Sequence, residues 1–292
     1  MDDREQTVRT ALGRVLGDEI GSRATIEPLA GGIKKRSYLV STGDDRWVLR
    51  LPAPGADALL DLATEAAVMR AAAAAGLAPE VIAVDVKAGV LLTDYRVAAR
   101  AWSVADAREP RNIERAAALL RELHELEVAA PTFAAERIAR RYLAELSAGV
   151  CAGRARFDAR EQSWIDELLE RARHYDATYS PTALCHNDLA AANVLDDGRL
   201  VLVDFEYSVR GAPVLDLASL AGMNDYGARE KRELLAAYRG ADGGVGIAEP
   251  ELERIVRLVL LTAFFWARLG DLRAGGAFAY GEVADQIGAS LR

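Results

Sequence analysis

Lysine is scarce in this chain: Lys34, Lys35, Lys87 and Lys231 are the only lysines among its 36 basic residues. A site that depends on a lysine ammonium therefore has few places to stand. Cysteine is scarcer still, and Cys151 and Cys185 can build neither a disulfide framework nor a metal site of recognisable spacing. Three histidines make a poor start for a hydrolytic zinc centre, which takes three protein ligands, so a hydrolase built on His186 and Asp188 fits badly. Long apolar runs are missing too. The best candidate, VLLTAFFWA, lies between Arg257 and Arg268 and is half the ~18 residues of a membrane span. The start, MDDREQT, is acidic where a secretory signal is basic and then apolar. A cytoplasmic protein with no membrane insertion is expected. Positive charge is in deficit, 36 basic residues against 44 acidic for a net of −8, which excludes a protein that coats nucleic acid. Small polar or cationic partners remain.

What is present is an ordinary globular composition, 51% hydrophobic and 27% charged over 292 residues, near the size at which a single core stops growing. Residues 7 to 17 have helical spacing, with Gly17 and Gly21 as a stop signal. TIEPLA, RSYLVST and RWVLRLP follow, each strand-length and bounded by turn residues, as an antiparallel meander demands. An Ala-rich helix is predicted over residues 57 to 75, ended by Gly76 and Pro79, and two further strands, VIAVDV and VLLTDY, close the region. From about residue 96 the texture changes to long amphipathic segments at 112–126, 136–147, 161–174, 228–238 and 249–269. The expected class is α+β, with a strand-rich lobe over 1–95 holding five antiparallel strands and one main helix, and a mostly helical lobe over 96–292.

Inside the helical half lies one non-helical island, ALCHNDLAAANVLDDGRLVLVDFEYS. Residues 186 to 193 match the H-x-D-L-x-x-x-N pattern of the protein-kinase catalytic loop, and Asp204-Phe205 follows at the end of the next strand. Phosphoryl transfer explains the spacing. The acceptor hydroxyl must be held by a carboxylate that can take its proton, and the phosphate charge must be neutralised by Mg²⁺. Asp188 supplies the carboxylate. Asn193, five residues on, and Asp204 supply hard oxygens of the kind Mg²⁺ takes. His186 reads as an organiser of the loop backbone.

The strand-rich lobe is then the place for a nucleotide. It contains no G-x-x-x-x-G-K-[ST], so a P-loop is excluded. Gly31 and Gly32 stand between two predicted strands, where backbone N–H groups can approach phosphate, with Lys34 and Lys35 beside them. Arg50 in WVLRLP occupies the strand position at which kinases carry lysine, and Glu65 sits on the next helix as its expected partner. An arginine there remains charged and binds phosphate oxygens as a planar fork.

GGIKKRSYLV, WVLRLP with Glu65, GLAPEVI, LLRELHEL, CHNDLAAANVL, LVDFEYS and LDLASL together resemble the choline/ethanolamine kinase family, within the aminoglycoside-phosphotransferase-like small-molecule kinases. The resemblance implies a bilobal protein-kinase-like fold. It implies an ATP- and Mg²⁺-dependent kinase acting on a small, cationic alcohol, with Asp188 as base and Asp216 bracing the loop. Glu206, Tyr207 and Trp266 match the positions that bind the substrate's ammonium, consistent with cation–π attraction. Three positions depart from the family pattern. Lys34-Lys35 replaces the usual Thr-Asn, Leu269 stands where a second late aromatic is expected, and Met223 stands where an acid is expected. Asp225 or Tyr226 is a candidate to compensate for Met223. Aminoglycosides, thiamine or another metabolite are alternative acceptors, and a nucleotide-binding module without catalysis is the alternative outside enzymes.

Overall fold

The computed structural model describes residues 3–29, 35–52, 61–153, 156–240, 246–274 and 279–291. The first elements are α1 (Asp3–Leu16), α2 (Asp18–Arg23), β1 (Thr25–Pro28), β2 (Lys35–Thr42), β3 (Asp45–Pro52), α3 (Leu62–Ala74), β4 (Val81–Asp85) and β5 (Val90–Asp94). They are followed by β6 (Arg100–Ala101), α4 (Val104–Ala107), α5 (Pro110–His124), α6 (Ala135–Cys151), α7 (Ala159–Thr178) and β7 (Ala183–Cys185). The chain ends with β8 (Val194–Asp196), β9 (Leu200–Leu202), β10 (Val209–Gly211), α8 (Val214–Met223), α9 (Ala228–Arg239), α10 (Glu249–Ala274) and α11 (Tyr280–Ser290). No helix among the described residues is long and apolar enough to cross a membrane.

These elements form two compact units, one running to Arg100 and including Leu195–Tyr207, the other holding Ala101–Val194 and the chain from Ser208. In the first unit the five strands pair antiparallel in the order β1-β2-β3-β5-β4, the α+β arrangement expected from the sequence. Alternation along β3 assigns its two faces. Leu49 and Leu51 are buried in a cluster with Val8 and Leu12 of α1, Tyr38 and Val40 of β2, and Val90 and Leu92 of β5. Arg50, between them, turns to the opposite face. Asp61 caps α3 by accepting from the Ala63 amide at 3.0 Å, which fixes where that helix starts and so where Glu65 stands.

Gly21 is a correction to the sequence reading. It does not stop a helix but lies inside α2, buried, where a Cβ would sit 3.0 Å from the Gly13 nitrogen and 3.1 Å from the Arg9 carbonyl oxygen. Two glycines thus let α1 and α2 touch backbone to backbone.

In the second unit α10 is the central rod, packing on α6, α7, α8 and α11, while α5 packs on α9. α8 was not foreseen, because Val214 through Gly222 are all buried and leave no polar face to set a period. Two capping boxes, Ser103 with Asp106 and Asp158 with Glu161, mark the starts of α4 and α7.

Gly21→Val forces a branched side chain against backbone that cannot rotate away. It should cost about 1–3 kcal/mol in chemical denaturation, and a loss under about 0.5 kcal/mol would contradict the close α1–α2 contact.

Candidate active site

The first unit presents a cluster built around one guanidinium. Arg50 forms an ion pair with Glu65 of α3, and its Nη1 donates to Asp204 Oδ1 at 2.9 Å. The Arg50 and Glu65 side chains are 13% and 5% exposed, so the pair is largely out of water. Burial works to lower the Arg50 pKa, but the charges of Glu65 and Asp204, with a smaller contribution from Glu206, outweigh it and hold the guanidinium above its ordinary value. Asp204 follows β9 with a φ of 66°, a left-handed conformation that a non-glycine residue seldom adopts. Phe205 anchors the turn by burying its ring, and Phe205–Tyr207 form a single 3₁₀ turn packed on α3. Glu206 and Tyr207 are half-buried on that turn. Gly31, Gly32 and Lys34 lie outside the described residues.

The second unit presents the loop that follows β7. Its backbone is held almost atom by atom. Asp216 of α8, wholly buried, accepts from the His186 amide at 2.9 Å and the Asn187 amide at 2.7 Å. Ser219, one helical turn on, accepts from the Leu189 amide at 3.0 Å. Asn224, just past the helix end, accepts from the Ala191 amide at 2.8 Å and donates to the Leu189 carbonyl at 2.8 Å. His186, also fully buried, accepts from the Asp188 amide through Nδ1 at 3.3 Å. Asn187 takes a positive φ of 62°, which turns the chain between the His186 and Asp188 positions. Asn193 donates its Nδ2 to the Asp188 carbonyl at 2.9 Å, which leaves its Oδ1 as the atom to offer a cation.

Asp188 itself is half-buried on this loop. A carboxylate displayed on a loop whose own amides are occupied is held to one geometry, as general base chemistry requires. Ser219 and Asn224 were not picked out from the sequence. The signal was there, since LDLASLAGMND places polar residues at helical offsets from Asp216 within an otherwise apolar run.

Among the remaining positions, Trp266 on α10 is half-buried and meets Tyr280 edge to face, with ring centroids 5.5 Å apart. Gly270 makes room for that Tyr280 ring, since a Cβ there would come within 2.4 Å of it. Leu269 is buried and Met223 half-buried. The two candidates to compensate for Met223 have other partners. Tyr226 is buried and donates its hydroxyl to the Ala107 carbonyl, and Asp225 is exposed and accepts from the Ser290 hydroxyl at 3.2 Å.

Residues 25–255 match the Phosphotransferase enzyme family, and the chain belongs to it. Mouse ethanolamine kinase 2 is 31% identical over 124 residues, 37% of this chain and 31% of that protein. The matched part is thus under a third of that relative's length. A choline/ethanolamine kinase family protein from Mesorhizobium loti superposes with a TM-score of 0.78 at 27% identity, covering 98% of this chain and 92% of its own. Choline kinase LicA from Streptococcus pneumoniae gives 0.79 at 19% identity over 99% of both chains. LicA in complex with AMP gives 0.76 at 17% identity over 100% of this chain and 99% of its own. These likenesses agree with the family resemblance carried by the motifs and with the protein-kinase-like fold.

Replacing Arg50 by Met removes the counter-charge from a Glu65 carboxylate that is 5% exposed. The single variant should lose about 3–5 kcal/mol of stability, and Arg50→Met with Glu65→Leu should regain most of it. Denaturation of the two variants checks this, and a double variant no more stable than the single one would contradict the account.

Proposed function

We propose that the protein is an ATP- and Mg²⁺-dependent kinase that phosphorylates the hydroxyl of a small, amine-bearing alcohol of the choline or ethanolamine kind. The observation that carries this reading is the loop from His186 to Asn193. Its amides are fixed by Asp216, Ser219 and Asn224, and it presents Asp188 and the Asn193 amide oxygen. The names of the relatives, ethanolamine and choline kinases, support the acceptor class.

In this reading Asp188 accepts a hydrogen bond from the acceptor hydroxyl and takes its proton as the oxygen attacks the γ-phosphorus. The O–H bond breaks and a new O–P bond forms. The bond from the γ-phosphorus to its bridging oxygen breaks, and that electron pair leaves with ADP. Arg50 holds phosphate oxygens with its planar fork, a role its sustained positive charge suits. Glu65 keeps the guanidinium in place. The Asp204 carboxylate and the Asn193 amide oxygen are each hard oxygen donors of the kind Mg²⁺ takes, and would hold it. Its bound charge would supply neutralisation of the phosphate charge during transfer.

For the acceptor, the half-buried Trp266, steadied edge to face by the buried Tyr280, supplies aromatic ring surface of the kind that attracts an alkylammonium group. Glu206 and Tyr207, on the turn after Asp204, are further candidates for substrate contact. With Met223 apolar and Asp225 and Tyr226 engaged elsewhere, recognition of the cation rests more on aromatic surface than on acids. The strand-rich residues up to about 95 serve the nucleotide, with Gly31, Gly32 and Lys34 beside the phosphates, and the rest carries the loop and the acceptor. No nucleic acid is required, and a cytoplasmic setting supplies both ATP and small alcohols.

Asp188→Asn keeps the shape and removes the base. Turnover with the best acceptor from an amino-alcohol panel should fall by about 10²–10⁴-fold in a coupled ADP-release assay, with KM for ATP changed by less than about threefold. An Asp188→Asn protein as fast as the parent would refute the mechanism.

A further inference from the structure

The loop amides held by Asp216 lead to a second layer of the same scaffold. His124, the last residue of α5, places its Nε2 3.1 Å from Asp216 Oδ2, the oxygen that also accepts from the His186 amide. Its Nδ1 lies 2.7 Å from the Tyr238 hydroxyl on α9, and the two rings meet edge to face at 5.6 Å. The His124 side chain is 5% exposed and Asp216 is fully buried. Thus α5, α8 and α9 each contribute one polar side chain to a single buried chain of contacts that ends on the loop backbone.

Hydrogen-bond chemistry sets the direction of that chain. A carboxylate facing Nε2 accepts, so Nε2 carries the proton. In the neutral ring Nδ1 is then the acceptor and the phenol is the donor. Burial and the nearby Asp216 push the Tyr238 phenol's pKa up, so its proton is firmly held. Every polar atom of the imidazole is used, which is the condition under which a buried network rigidifies its surroundings.

Cys185 Sγ joins His124 and Asp216 with ligand atoms within 4.8 Å of one another, the composition of a metal site. The contacts speak against that use. The thiol lies 3.5 Å from the Ala212 carbonyl, and burial, with Asp216 adding to it, pushes its pKa well up. Both Asp216 oxygens already receive backbone amides.

We infer that His124, fixed in one tautomer by Tyr238, is a positioning residue that holds the Asp216 carboxylate in the orientation that sets the His186 and Asn187 amides and so the Asp188 carboxylate. The catalytic consequence rests on the phosphoryl-transfer reading above, whereas the brace itself does not. His124 touches no reacting atom. Its loss should act on the rate of the chemical step and leave nucleotide affinity alone.

Two readouts on the 292-residue chain test this. The first is hydrogen exchange at the His186 and Asn187 amides, which needs no substrate. His124→Leu should speed exchange there by about ten- to hundredfold, the range for losing a hydrogen bond to a charged group. His124→Gln, whose side-chain amide can still donate to Asp216, should restore protection to within about threefold. The second readout is turnover on the best amino-alcohol acceptor. kcat should fall by a similar factor in His124→Leu with KM for ATP nearly unchanged, and should recover in His124→Gln. A folded His124→Leu with parental exchange and kcat overturns the inference, as does a His124→Gln as impaired as His124→Leu. Tyr238→Phe keeps the packing should His124→Leu fail to fold. Faster exchange at the two amides supports the inference in that variant, and unchanged exchange overturns it. A parent protein that phosphorylates no amino alcohol refutes the functional reading, while the exchange experiment still decides the brace.

Discussion

A buried carboxylate is tolerated only when its lone pairs are met, and the second unit is organised around one that is. Asp216 has no solvent contact and receives two backbone amides and an imidazole. Because those amides belong to consecutive residues, His186 and Asn187, the carboxylate fixes two successive peptide units. Ser219 and Asn224 extend the same helix's grip to Leu189 and Ala191. The loop that displays Asp188 is in this sense an attachment of α8. That explains how three residues of strand at Ala183–Cys185 and a short 3₁₀ turn at Ala191–Asn193 hold an irregular segment still.

The first unit solves a related problem with opposite charges. Arg50 lies on a strand whose neighbouring side chains are apolar and buried, and it is kept charged by Glu65 and Asp204 together. The scarcity of lysine in the chain acquires a physical meaning here. A planar fork can face a helix carboxylate with one nitrogen and the Asp204 carboxylate with another, which a compact ammonium on a flexible stem does with less geometric definition. The same arginine therefore ties the first turn of α3 to the turn after β9.

Much of this was legible in the sequence, for identifiable reasons. The five strands carried turn chemistry at both ends, and the long helices carried an apolar stripe. Asp188, Asn193 and Asp204 stood out because they are polar residues at motif spacing within and beside short apolar strands. What escaped notice is buried on all sides. α8 has no polar face to betray its period, and the polar residues that matter on it, Ser219 and Asn224, point inward to backbone groups that a sequence does not display. His124 was not singled out within LLRELHEL, because its partners Asp216 and Tyr238 come from α8 and α9, far along the chain. Gly21 misled for a different reason. Glycine serves both to end helices and to let them approach, and only packing tells the two apart.

The account stands or falls on transfer of a phosphoryl group to an alcohol oxygen. Phosphorus NMR of the parent protein with ATP, Mg²⁺ and a panel including choline and ethanolamine addresses this directly. The account predicts a new phosphomonoester resonance that grows as the γ-phosphate signal declines, together with equimolar ADP. Consumption of ATP that yields only inorganic phosphate, or no consumption with any alcohol in the panel, would contradict it.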